Sequence, residues 1–284
     1  MDGYKTCPSC GRQNPADAQW CSNCGASMAA AAPGPTPTQA PPGPGPAPSY
    51  GSAAKQQVIN AIQSRTQTDE IMGMFWALFL LIAVVLMFVA AFLGVIGIIL
   101  WVVVGILELV LFYKMLKRNE AHFKREAILR TAMVNYFREK GNETFKSQMI
   151  GAQLGTMESI NQEAAFKEKD HNVILLVILM IIPIVNFFAM LYILYILTKE
   201  PFGHDQRWHA FSQNAQSAAQ QLGMNVMTPS WKTLKERSYL LYILLTILTF
   251  GIFAIYWVYV LVTDMNEHMQ TQWQFEDGLM RELH

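Results

Sequence analysis

The chain has 284 residues, 52% of them hydrophobic and 15% charged, where soluble domains carry about a quarter charged. Its formal net charge is zero, which excludes a nucleic-acid binder that works through bulk electrostatics. The neutrality hides an asymmetry. Residues 114–170 carry 11 Lys and Arg against 8 Asp and Glu, residues 199–238 carry 5 against 3, and the tail from Thr263 carries 1 against 5.

Residues 1–28 hold all four cysteines, as Cys7-x2-Cys10 and Cys21-x2-Cys24. Two-residue spacing lets both thiolates of a pair reach one ion from a tight turn. Two such turns complete a tetrahedral four-sulfur shell suited to Zn(II). Gly11 and Gly25 follow the second Cys of each pair, where a tight turn aims N–H groups at the sulfurs. So short a fragment buries no core, and a metal would supply most of its folding free energy. Two disulfides are the alternative, and need an oxidising compartment.

The segment resembles the small zinc ribbons of pattern Cys-Pro-x-Cys-Gly … Trp-Cys-x-x-Cys-Gly. The resemblance implies one structural Zn(II) on Cys7, Cys10, Cys21 and Cys24, with no open position for catalysis. Lys5 and Arg12 are balanced by Asp2 and Asp17, so no basic face for nucleic acid is expected. The ribbon reads as a docking or sensing module, with an inert cap as the alternative.

Residues 29–54 contain eight prolines and no charge, the composition of a disordered Pro/Ala/Gly linker. Residues 55–70 place Val58, Ile59 and Ile62 at helical spacing, which predicts a short amphipathic helix lying on a membrane surface.

Ile71 to Tyr113 follows, apolar throughout except for Glu108. A straight helix of that length would reach about 65 Å, twice the ~30 Å hydrocarbon core, so a transmembrane hairpin turning at Gly94-Val95-Ile96-Gly97 is predicted. Lys114, Lys117, Arg118, Lys124 and Arg125 just beyond it place that end in the cytoplasm. No apolar run precedes position 71, so no signal peptide is expected and the N-terminus is expected inside.

Residues 114–171 predict cytoplasmic amphipathic helices. The first runs from Asn119 to Lys140, with Phe123, Ala127, Val134 and Phe137 on one face and Lys124, Asn135 and Arg138 opposite. Residues 172–198 and 238–262 are further hydrophobic segments, broken at their centres by Pro183 with Asn186 and by Thr249-Phe250-Gly251. Each is either one kinked span, the favoured reading, or a shallow hairpin. Residues 199–237 read as an amphipathic helix and loop with a stripe of Trp208, Phe211, Ala215, Ala218 and Leu222. Residues 263–284 read as a C-terminal amphipathic helix.

The two broken segments align at an offset of 65, matching Phe188-Ala189 to Phe253-Ala254, Tyr192 to Trp257, Thr198 to Thr263 and Trp208 to Trp273. This points to a repeated unit, with the first hairpin as a diverged third copy. Arg237-Ser238 and Leu248-Thr249-Phe250-Gly251-Ile252-Phe253 through Tyr256-Trp257 resemble a membrane domain catalogued as domain of unknown function 4234. That resemblance implies membrane integration and brings no known activity.

No P-loop, dinucleotide fingerprint, GxSxG or HExxH occurs, and no enzyme is expected. The six histidines are scattered; His204 and His209, five apart, read as solvated. Glu108 reads as a carboxyl near the interface that snorkels or pairs with Lys114, and a transport role is the alternative. Asn186 is expected to satisfy carbonyls freed at Pro183. Tyr192, Tyr195, Tyr239, Tyr242, Trp257 and Tyr259 are expected in an interface belt.

The expected fold is an all-α integral membrane protein of four hydrophobic segments and amphipathic helices, carrying a small N-terminal zinc ribbon. It is expected to be multi-pass in the cell membrane, in contact with lipid, and compatible with a homo-oligomer. The expected function is a membrane-anchored scaffold or sensor whose ribbon recruits a cytoplasmic protein. A small channel or transporter using Glu108, and a membrane-shaping wedge, are the alternatives.

Overall fold

The computed structural model describes residues 3–7, 12–19, 22, 52–226 and 232–284, and the chain divides into two units, Met1–Ser49 and Tyr50–His284. Cys10, Cys21, Cys24 and the 29–51 part of the linker lie outside the described residues.

In the first unit β1 (Tyr4–Thr6) pairs antiparallel with β2 (Gln13–Pro15), Lys5 opposite Asn14. The strands are too short to hold by pairing alone. Cys7 follows β1, buried, with its N–H donating to Arg12 O at 2.9 Å to close the turn. Asn14 is buried and accepts through Oδ1 from both Ser22 N and Ser22 Oγ at 2.9 Å, which ties Ser22 to the hairpin.

The second unit is helical. It contains α1 (Ala53–Gln63), α2 (Arg65–Thr68), α3 (Met74–Ala77), α4 (Phe79–Ala90), α5 (Val95–Glu143), α6 (Gly151–Lys167), α7 (Val173–Leu179), α8 (Val185–Gln221), α9 (Tyr239–Leu248) and α10 (Ile252–Leu283). Three long helices, α5, α8 and α10, form its frame, and each is preceded by a short apolar helix that doubles back on it. At 1.5 Å per residue α5 reaches about 74 Å. It is the one described helix long and apolar enough to cross a membrane. The predicted boundary near residue 119 is absent, because nothing in the 114–121 sequence breaks a helix.

The first reversal falls where the glycines predict it, with Gly94 at φ +57° and α5 starting at Val95. The other two segments correct the favoured expectation of single kinked spans. Tyr239 and Trp257 are 18 residues apart, about 27 Å along a straight helix, yet their ring centroids lie 5.8 Å apart. His171 Nε2 likewise lies 2.7 Å from Glu200 Oε1. Both segments are therefore helical hairpins, turning at Ile184 (φ +70°) and at Phe250-Gly251 (φ +51° and +90°). Their first arms, α7 and α9, are 7 and 10 residues long, roughly 10 and 15 Å, too short to cross.

Side chains sort along the three long helices. One apolar core collects the hairpin ends, with Phe79, Leu111, Phe112, Met115, Ile193, Leu197, Trp257 and Val262. A second collects the far ends, with Leu129, Met133, Phe137, Trp208, Phe211, Phe275 and Leu279. The expected stripe on α8 lies wholly in this second core, while Ala127 of the α5 stripe is exposed. Val58, Ile59 and Ile62 of α1 are buried there too, so the apolar face of that helix packs on α5 and α10. Trp257, expected at an interface, is buried and donates Nε1–H to Thr198 Oγ1 at 3.0 Å.

Outside the cores the hairpins are covered with exposed apolar side chains. Phe88, Phe92, Val95, Ile96, Ile98 and Ile99 surround the first tip, Ile181 and Ile184 the second, and Leu248, Phe250 and Ile252 the third. An apolar surface of this extent signals lipid or a partner rather than water.

Candidate functional site

Between the two apolar cores each long helix contributes polar side chains that are buried. From α5 come Arg118, His122, Arg125, Glu126 and Arg130; from α8, His204 and Asp205; from α10, His268, Gln272 and Glu276. Asp69, just after α2, completes the layer. On α5 these positions repeat at three- and four-residue spacing, which lines them along one face.

Three histidines stand at the centre, one from each long helix. Their ring centroids form a nearly equilateral triangle with sides of 5.2, 5.3 and 5.1 Å. The Nδ1 atoms point outward, each to its own carboxylate: His122 to Asp69 Oδ1 at 3.1 Å, His204 to Glu168 Oε1 at 3.0 Å, and His268 to Asp205 Oδ1 at 2.7 Å. The other ring nitrogens point inward. Nε2 of His122 and of His268 are 3.2 Å apart, and His204 Nε2 lies 2.6 Å from Glu126 Oε2. One ligand-type atom from each of His122, Glu126, His204 and His268 falls within 4.8 Å of all the others.

Arginines surround this centre. Arg125 grips both oxygens of Asp69, at 3.1 and 2.8 Å, and reaches Glu276 Oε1 at 2.7 Å. Arg130 bonds Glu126 Oε1 and Glu168 Oε2, and Arg207 donates twice to Glu168 Oε1. Phe123 stacks on the His204 ring at 4.0 Å.

These surroundings decide protonation. Burial pushes the His122 ring down to about 4 against the pull of Asp69, and takes His204 well below the usual imidazole range against the pull of Glu168. Burial works to raise Asp69, but His122, Arg125 and Trp273 beside it outweigh that and hold its carboxyl well below the usual carboxylate range. Glu168 behaves likewise beside His204 and Arg130. Burial lifts Glu276 to about 7 over the opposing pull of Arg125.

The expectation for the histidines is corrected here. His204 is fully buried, and its partners lie 82 residues before it and 64 after it. A search along one helix could not reveal them. Two signals were legible: His122 and Glu126 share a face at i, i+4, and each repeated unit carries a histidine beyond its hairpin. Alignment at offset 65 sets His268 against Gly203, one residue from His204, and so conceals the match.

Glu108 is half-buried and faces a cavity of about 360 Å³ that Asn186, Thr246 and Trp257 also line. Lys114, its expected partner, pairs with Glu70 instead. Asn186 Nδ2 donates to Met180 O, capping a carbonyl at the Pro183 turn as expected. Of the four predicted zinc ligands, Cys7 is the one among the described residues, buried at the end of β1.

Fold and sites together define a mainly helical protein with a ribbon-type head and an exposed apolar end. Residues 6–28 match the zinc-ribbon domain family, and residues 237–279 match the domain of unknown function DUF4234. The ribbon match carries zinc binding with it. No curated protein and no solved structure matches the chain. Within 237–279, Arg237 forms a two-pronged ion pair with Asp264 at 2.6 and 2.8 Å, joining the α9 entrance to α10, and Ser238 Oγ caps α9 by accepting from Leu241 N. Thr249 Oγ1 accepts from Phe253 N at 2.9 Å beside the left-handed Gly251, which shapes the turn. His268 lies inside the same matched stretch.

Proposed function

We propose that this chain is a membrane-anchored adaptor. The three hairpins seat the helical unit in the cytoplasmic face of the cell membrane, residues 71–113 cross it, and the N-terminus stays in the cytoplasm. The tethered zinc ribbon recruits a cytoplasmic protein. The observation that carries this reading is the segregation of the helical unit, with three apolar tips around Phe92, Ile184 and Phe250 exposed and the buried ion pairs gathered beyond the hairpin core. Four cysteine ligands leave the ribbon zinc no open coordination position, which favours docking over chemistry.

Crosslinking in cells, comparing the native chain with the Cys7→Ser/Cys10→Ser variant, tests the adaptor role. Partners lost in the variant and restored by an intact ribbon support it. An unchanged partner set removes the ribbon from the mechanism.

The short hairpins favour a second reading, membrane shaping by a wedge. Arms of roughly 10–15 Å displace one leaflet more than the other, which bends a bilayer. Purified chain that leaves liposome diameter unaltered at high surface density would exclude it.

A further inference from the structure

We infer that His122, Glu126, His204 and His268 bind one divalent first-row transition-metal ion, of the borderline class that includes Zn(II) and Fe(II), where α5, α8 and α10 converge. The inference is independent of the adaptor reading and concerns a centre separate from the ribbon cysteines.

Geometry carries the argument. Each of the three histidines turns Nδ1 toward a carboxylate and Nε2 toward Glu126 or a neighbouring ring. One ligand-type atom from each of the four residues then falls within 4.8 Å of the others. Glu126 Oε2 and His204 Nε2 are fully buried and make no aligned hydrogen bond, although they stand 2.6 Å apart. A cation at the centre would satisfy both atoms at once.

The spacing fits as well. With metal–nitrogen bonds of about 2.0–2.1 Å, neighbouring tetrahedral ligands stand roughly 3.3 Å apart. His122 and His268 present Nε2 atoms at 3.2 Å, and Glu126 Oε2 lies 3.8 Å from His122 Nε2, while His204 Nε2 and Glu126 Oε2, 2.6 Å apart, would have to part by several tenths of an ångström around an ion. Three imidazoles and one carboxylate suit a borderline ion better than a hard one such as Mg(II). A carboxylate behind each ligating histidine is the arrangement that fixes tautomer and raises ligand basicity in metal centres.

Acidic side chains crowd the centre: Asp69, Glu126, Glu168 and Asp205 all stand against the three rings. A cleft of about 170 Å³ between α5 and α6 reaches Glu168 and Phe123, both neighbours of His204. With all four positions filled by protein, such an ion would pin the three long helices together rather than activate water.

The test uses the full-length chain in detergent with Cys7, Cys10, Cys21 and Cys24 all changed to Ser, so that the ribbon binds nothing. Zn(II) and, separately, Co(II) are titrated and bound metal is counted by mass spectrometry. The expected result is about one equivalent per chain, with Co(II) giving visible d–d bands and no sulfur-to-metal charge transfer. Asp205→Asn should weaken binding by 10–100-fold while helicity is retained, and His204→Gln should abolish it. Should His204→Gln aggregate, the Asp205→Asn titration decides. A monodisperse ribbon-null chain that takes up neither ion overturns the inference, and leaves shared protons as what holds the cluster. Binding that both substitutions leave unchanged overturns it equally.

Discussion

Arg125 is buried between Asp69 and Glu276 and donates to both. Removing one member of such a network leaves carboxylates without compensation, at a cost of about 3–5 kcal/mol. Arg125→Met should therefore lower the thermal midpoint of the detergent-solubilised chain sharply. Lys124→Met, one residue away on the exposed face with its ammonium on Glu120, should shift it little, since exposed pairs contribute about 0–1 kcal/mol. Scanning calorimetry on both separates the two; equal shifts would deny the polar layer its structural role. Lys124 was legible on the outer face from periodicity alone. Arg125 was not, because its environment is made by residues 56 before and 151 after it.

At the turn of the first hairpin the chain passes too close to itself for a side chain. A Cβ on Gly97 would lie 1.9 Å from Ala90 O, a backbone atom that cannot swing aside. Gly105, further along the same helix, has open space around it. Gly97→Ala should thus destabilise or open the hairpin. Gly105→Ala should be neutral or stabilise by up to ~1 kcal/mol through helix propensity. Unfolding midpoints measured side by side check the sign of each. The other hairpins make a topological prediction. Arg130 from α5, Glu168 after α6 and His204 from α8 form one cluster, which requires α5, α6 and α8 to emerge on the same side. A single cysteine at Gln220, which is exposed, should be labelled from the side that labels one at Asn135. Labelling from opposite sides would restore single spans. The surplus of Lys and Arg in 199–238 already leaned toward this outcome, and the central breaks at Pro183 and Gly251 supplied the means.

The chain as a whole divides at residue 49, and its second unit has its own two cores and polar layer. Deleting residues 1–51 should leave helicity and monodispersity of the detergent-solubilised remainder unaltered. Circular dichroism and gel filtration check this, and loss of fold would show that the head stabilises the body. Phe250→Asp at an exposed tip tests the apolar end from the other direction. The substituted chain should float less with liposomes while keeping its thermal midpoint, because Phe250 lies outside both cores.

Local pattern carried the ribbon, the Gly94 turn, the apolar stripe of α8 and the helix-breaking centres of both later segments, since each is set by residues within a few positions of one another. The direction of the chain after each break, the union of α5 with the helix predicted behind it, and the gathering of His122, His204 and His268 belong to the folded molecule. Those depend on contacts across 60 to 150 residues, and a buried histidine looks in sequence like a solvated one. Burial between two oily cores is what turns three scattered imidazoles into a single centre.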